Sequence, residues 1–62
     1  MEHLKEDFLK TYVNIPINLR DNTILVLDDG RPISWDVAYF EVKNDTELSQ
    51  EILASLKELE LI

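Results

Sequence analysis

The side chains best suited to chemistry in this 62-residue chain are two adjacent carboxylates, Asp28 and Asp29. They precede the only glycine, Gly30. A carboxylate pair can bind a divalent cation or serve as an acid and a base. A hard cation, however, takes about six or more oxygen ligands from several directions, and no D-x-[DN]-x-[DN]-G loop continues the pattern. Asp and Gly are also typical turn residues. We therefore interpret residues 27–30 as a tight turn and not as a site.

Nucleophiles and proton-transfer groups are equally sparse. His3 is the only histidine, there is no cysteine, and Ser34, Ser49 and Ser55 lie outside any G-x-S-x-G motif. An activated serine needs a base held beside it, and a structural zinc site needs several histidine or thiolate ligands. The sequence therefore predicts no catalytic residue, no metal site and no cofactor, which favours a protein that is not an enzyme.

The charge balance and the hydropathy argue against further classes. Thirteen acids against six bases give a net charge of −7, whereas nucleic-acid binding relies on clustered basic side chains. The last helical segment exposes Glu47, Glu51 and Glu58, where a DNA-reading helix would expose basic or amide groups. The longest apolar run, residues 24–27, is far shorter than the roughly 20 residues of a membrane helix, and residues 1–7 lack the features of a signal peptide. We expect a soluble, cytoplasmic protein with no direct contact with nucleic acid or membrane.

The N-terminal third combines a helical and a strand-like pattern. Apolar residues on one side predict an amphipathic helix over residues 3–12. From there the apolar positions alternate, at Val13, Ile15, Ile17 and Leu19, which is typical of a half-buried strand. Pro16 has no N–H for a ladder, so we expect this strand at the edge of a sheet.

Two more strands are predicted on either side of the turn. Residues 24–27 are apolar at every position, as in a central strand whose two faces are both at least partly covered. Residues 31–34 would form a short return strand, and Pro32 places it at the opposite edge. A three-stranded antiparallel meander explains both prolines as protection of the sheet edges.

Two helices are predicted after the strands. Ser34 can cap a helix that begins at Trp35, although a longer strand is the alternative, because residues 35–43 are rich in strand-favouring types. Thr46 can cap the last helix. The predicted fold is a small α+β domain over residues 1–62, in the order α-β-β-β-α-α. The residues expected in its core are Leu4, Phe8, Ile24, Val26, Trp35, Tyr39, Val42, Leu48, Ile52, Leu56 and Leu59.

The apolar residues exceed what one small core uses. Val37, Phe40, Leu53 and Leu61 fall off the helical stripes, and exposed apolar surface often marks an interaction site. We predict that they form an interface with a second copy, as a homodimer, or with a partner protein; a monomer that simply exposes them is the alternative. The sequence thus favours a small acidic non-catalytic interaction module. A second hypothesis is an acidic inhibitor that binds the basic face of a nucleic-acid-binding protein.

Overall fold

Three helices pack against a β-hairpin in the computed structural model, which describes residues 3–62. The elements, in chain order, are α1 (Leu4–Val13), β1 (Thr23–Val26), β2 (Pro32–Ser34), α2 (Trp35–Lys43) and α3 (Glu47–Glu58). The chain is therefore a small α+β domain. The prediction of a three-stranded meander is wrong, because the sheet formed by the described residues has only two strands, β1 and β2.

The prediction of a first strand over residues 13–19 is wrong for a local reason. Val13 is still part of α1, and Ile17–Leu19 forms one turn of 3₁₀ helix after Pro16. The N–H of Ile15 donates to the Tyr12 carbonyl at 3.0 Å, so the backbone here bonds to near neighbours and has no ladder to join. Val13 and Ile17 are also 67% and 81% exposed. Of the four alternating apolar residues only Ile15 packs against the core, so the segment has no continuous buried face.

The hairpin turn follows the predicted chemistry. Gly30 has a φ of +89°, in the left-handed region that glycine adopts without strain. Its N–H donates to the Leu27 carbonyl at 2.8 Å, and the Leu27 N–H donates to the Arg31 carbonyl at 2.9 Å. This turn sets the antiparallel register, in which Val26 lies opposite Pro32.

The hairpin buries only one of its faces. Leu25 and Leu27 are buried, whereas Val26 between them is 62% exposed. The prediction that both faces of residues 24–27 are at least partly covered therefore fails at Val26, while Ile24 is partly buried against the core. A two-stranded hairpin offers one face to the helices, and alternate side chains of β1 must point to the other.

Side-chain caps begin both C-terminal helices. The Ser34 hydroxyl accepts a hydrogen bond of 3.2 Å from the Val37 N–H, which confirms that a helix and not a longer strand follows Ser34. The Thr46 hydroxyl accepts one of 3.1 Å from the Ser49 N–H at the start of α3. Each cap satisfies an amide that has no partner inside its own helix.

The junction between α2 and α3 uses a left-handed residue. Asp45 has a φ of +52°, and the N–H of Thr46 reaches back to the Glu41 carbonyl at 3.3 Å. This is the Schellman arrangement, which satisfies carbonyls at a helix end and reverses the chain. The reversal lets α3 pack against α2.

One core holds the elements together. Phe8, Ile52 and Leu56 are fully buried. Two residues expected in the core, Val26 and Leu59, are exposed, since Val26 lies on the open face of β1 and Leu59 follows the last turn of α3. The buried apolar residues are Phe8, Leu25, Leu27, Ile33, Trp35, Ala38, Val42, Ile52, Leu53 and Leu56. Those packed against them and partly buried are Leu4, Leu9, Tyr12, Ile15, Ile24, Tyr39, Leu48 and Ile62.

None of the helices in the described part of the chain is long and apolar enough to span a membrane. The longest, α3, has 12 residues.

Candidate functional site

Of the two adjacent carboxylates, Asp28 and Asp29, the second has a structural role. The Asp29 carboxylate accepts a 2.7 Å hydrogen bond from Arg31 Nε and one of 3.2 Å from the Arg31 N–H. These contacts close the hairpin turn. Within residues 3–62, no group of three His, Asp or Glu side chains lies close enough to hold a metal ion.

Two of the predicted interface residues share one surface. Val37 and Phe40 lie three positions apart on α2, which places them on the same side of the helix. Val37 is 42% exposed and Phe40 is 62% exposed. We call this pair the α2 face.

The other two predicted interface residues lie elsewhere. Leu53 is only 8% exposed and belongs to the core cluster, so it supplies packing between helices. Leu61 is 40% exposed and follows the end of α3. Its N–H donates to the Leu56 carbonyl at 2.9 Å, next to Glu60 with a φ of +59°. The backbone of Leu61 therefore caps α3 in a second Schellman arrangement.

A second candidate surface, with a mixed polar and apolar lining, was missed by sequence reasoning. A groove of about 440 Å³ runs between β1 and α3. We call it the β1–α3 groove; its lining residues are Leu25, Val26, Ser55, Glu58 and Leu59. The helical stripe of α3 had assigned Leu59 to the core, and only the end of the helix at Glu58 reveals its exposure.

A larger depression, of about 680 Å³, lies at the start of α3. The first turn of a helix favours anions, but Glu47 and Glu51 already line this depression. Its one basic residue among those described, Arg31, is paired with Asp29. This depression therefore offers no clear chemistry for a ligand.

Stacked aromatic rings connect α1 to α2 beside the α2 face. The rings of Tyr12 and Tyr39 stack with centroids 4.4 Å apart, and the Arg20 guanidinium lies 4.5 Å from the Tyr12 ring centre. The Tyr12 ring also lies near the buried ring of Phe8, with centroids 6.0 Å apart. This packing fixes the position of α2, and hence of its exposed side chains, relative to α1.

Partial burial, followed by a hydrogen bond to Asp36, raises the pKa of Tyr12 above its usual value of 10.0. The Tyr12 hydroxyl donates to an Asp36 carboxylate oxygen at 2.8 Å. Deprotonation would break this bond and place two negative charges together. The Tyr12 phenol is therefore held in its neutral form, and its hydrogen bond to Asp36 links α1 to α2.

The surface around these features is acidic. Among the described acidic residues, only Asp7 and Glu41 are half-buried, and the rest are exposed. Two ion pairs form within the described residues, Lys5 with Asp45 at 2.9 Å and Arg31 with Asp29 at 2.7 Å. Most of the net charge of −7 thus remains at the surface.

Comparisons with models of protein families, with curated proteins and with solved structures found no match for this chain.

Proposed function

We propose that this chain is a non-catalytic protein-interaction module that docks on a partner protein through the α2 face. The observation that supports this is Phe40, a large aromatic side chain exposed in the middle of a well-anchored helix. Burying such a ring on binding contributes strongly to affinity, and aromatic side chains are frequent anchors at interfaces.

The fold does not need Phe40 for its own core. The core already contains Trp35, Ala38 and Val42 from the opposite side of α2. Because these residues and the Ser34 cap fix the helix, Phe40 is presented at little entropic cost to binding. The ring is therefore available as a preorganised anchor.

Charge favours a partner of a different sequence over a second copy. A net charge of −7 makes two copies repel each other, whereas it attracts a surface that carries Lys and Arg. The proposed partner surface is an apolar pocket for Phe40 with a basic rim.

The test is capture of the tagged protein from its native cells, using wild type, Phe40→Glu and Val13→Glu. Val13 is as exposed as Phe40 but lies on α1, so both variants add one charge at an exposed apolar position. We expect one partner, retained at high salt by wild type and Val13→Glu and lost by Phe40→Glu. Equal recovery of that partner by both variants would refute docking through the α2 face.

The exposed acidic surface supports a second candidate, an inhibitor of a nucleic-acid-binding protein. Exposed charges are screened beyond about 10 Å at 0.1 M salt, so such a complex would dissociate at high salt. It would also be insensitive to Phe40→Glu, since that variant keeps and even increases the acidic charge. The same capture experiment therefore separates the two functions.

A further inference from the structure

We propose that the outer edge of β1, together with the β1–α3 groove, binds an extended peptide segment that carries apolar and basic side chains. The segment would add a third strand to the hairpin. This site does not involve the α2 face and stands independently of it.

The register of the hairpin leaves backbone groups of β1 pointing outward. The Leu27 N–H donates to the Arg31 carbonyl at 2.9 Å, so Leu27 bonds toward β2. In an antiparallel ladder such residues alternate with ones that point the other way. Val26, opposite Pro32, therefore turns its N–H and C=O away from β2. Outside the β1–β2 ladder, no described residue forms a hydrogen bond with either group.

The two edges of the hairpin are not equivalent. Pro32, on β2, has no N–H to offer at the opposite edge. Proline on an edge strand is a known protection against the addition of further strands. Strand addition is therefore favoured at β1 and hindered at β2. The bulge between Thr23 and Leu25 limits the regular part of the β1 edge, so the added strand would be short and centred on Val26.

The groove beside this edge supplies contacts for side chains. Val26 and Leu59 are both exposed there, and the buried residue Leu25 also lines the groove. Alternate side chains of an added strand point to one face. One set would therefore enter the groove against α3, which is how strand-adding domains combine backbone bonding with side-chain selection.

The charge around the groove selects the occupant. Glu58 is the charged residue among the described residues that line it. Glu51, Ser55 and Glu58 are spaced by four and three positions, so they share one side of α3. Asp28 follows the far end of β1. Lysine or arginine side chains on the segment are complementary to these carboxylates, whereas a second copy of this acidic chain is not.

The test is a titration of the ¹⁵N-labelled full chain with a synthetic, end-capped peptide of alternating valine and lysine. We expect saturable shifts of the amide signals of Val26, Ser55 and Leu59. Two further peptides carry N-methyl groups on every second amide, one in each register. The one whose methyl groups face β1 should bind about tenfold or more weakly, the equivalent of one well-made hydrogen bond.

Three controls make the outcome decisive. A valine–glutamate peptide should not bind, because its carboxylates would lie beside the acidic side chains that flank the β1 edge. Leu59→Ala should weaken binding, while Leu19→Ala, at an exposed apolar position outside the groove, should not. Equal binding of both N-methylated peptides, or shifts elsewhere in the chain, would overturn strand addition. Shifts of the Val26 signal on dilution without peptide would instead assign the edge to a second copy.

Discussion

The hydroxyl of Tyr12 donates a 2.8 Å hydrogen bond to the carboxylate of Asp36, and this contact joins α1 to the first turn of α2. It forms between residues 24 positions apart in sequence. Beside it, the stacked rings of Tyr12 and Tyr39 bridge the same two helices. Polar and aromatic contacts together therefore hold α2, the helix that presents Phe40, against α1.

Because of the hydrogen bond between Tyr12 and Asp36, we expect the folded protein to lose stability in alkaline solution. Because the folded-state pKa of Tyr12 is raised, folding favours the protonated phenol. The stabilisation is fully present below the unfolded pKa of about 10 and is lost as the pH rises through the higher folded value. Thermal unfolding measured on either side of pH 10 should show this decline.

Asp36→Asn is the matched variant for that titration. Besides burial, Asp36 raises the Tyr12 pKa, and the variant removes the Asp36 charge but leaves an oxygen that can accept the hydrogen bond. We expect the tyrosinate absorbance of this variant to appear at lower pH than in wild type. An unchanged titration curve would contradict the role of Asp36.

Truncation of Leu53 should cost much more stability than truncation of Phe40, although sequence analysis had grouped the two residues. Leu53→Ala creates a cavity in the core and should cost about 2–5 kcal/mol of unfolding free energy. Phe40→Ala removes an exposed ring and should change stability by about 0.5 kcal/mol or less. Urea denaturation of the two variants measures both values, and similar losses would show that the two residues are packed alike.

The left-handed residues at the helix ends predict stabilising substitutions. Asp45 and Glu60 have positive φ, which glycine adopts without a steric cost. We expect Glu60→Gly to raise the unfolding free energy by about 0.5–1 kcal/mol, after the added entropy of the unfolded chain is deducted. Asp45→Gly should gain less, because it also removes the exposed ion pair with Lys5. Asn44→Gly is the control, since Asn44 has a φ of −94° and should lose stability instead.

The capping hydroxyls of Ser34 and Thr46 should each contribute measurably to the free energy of unfolding. Ser34→Ala and Thr46→Ala each leave a helix N–H without its side-chain acceptor and should cost about 1 kcal/mol. Ser55→Ala, within α3, removes a hydroxyl for which no hydrogen bond to a described residue is found, and alanine favours helix. Its stability should be unchanged or slightly higher. Equal losses in all three variants would contradict the capping roles.

Local chemistry could be predicted from the sequence, and long-range placement could not. The turn at Gly30 and the caps at Ser34 and Thr46 depend on side chains a few residues apart, and these predictions are confirmed. The strand predicted over residues 13–19 failed because periodicity alone does not show whether a face is buried. Val13 and Ile17 alternate with polar residues yet face solvent.

The two candidate surfaces show the same difference between local and long-range prediction. Val37 and Phe40 share a face of α2 because of their spacing, so sequence analysis could pair them. The β1–α3 groove joins Val26 to Leu59, residues that only the tertiary packing brings together. Leu59 is exposed because α3 ends at Glu58, and an end point is the least certain property of a helical pattern. Leu53 is buried because the buried face of α3 is wider than the predicted stripe and includes both Ile52 and Leu53.

Docking through Phe40 is tested most directly by photo-crosslinking in the native cells, with benzoylphenylalanine at position 40 or, as the control, at position 13. Both positions are exposed, and they lie on different helices. We predict one covalent adduct with a different protein from position 40 and none from position 13. The same adducts from both positions, or an adduct only with a second copy of this chain, would contradict a partner-specific α2 face.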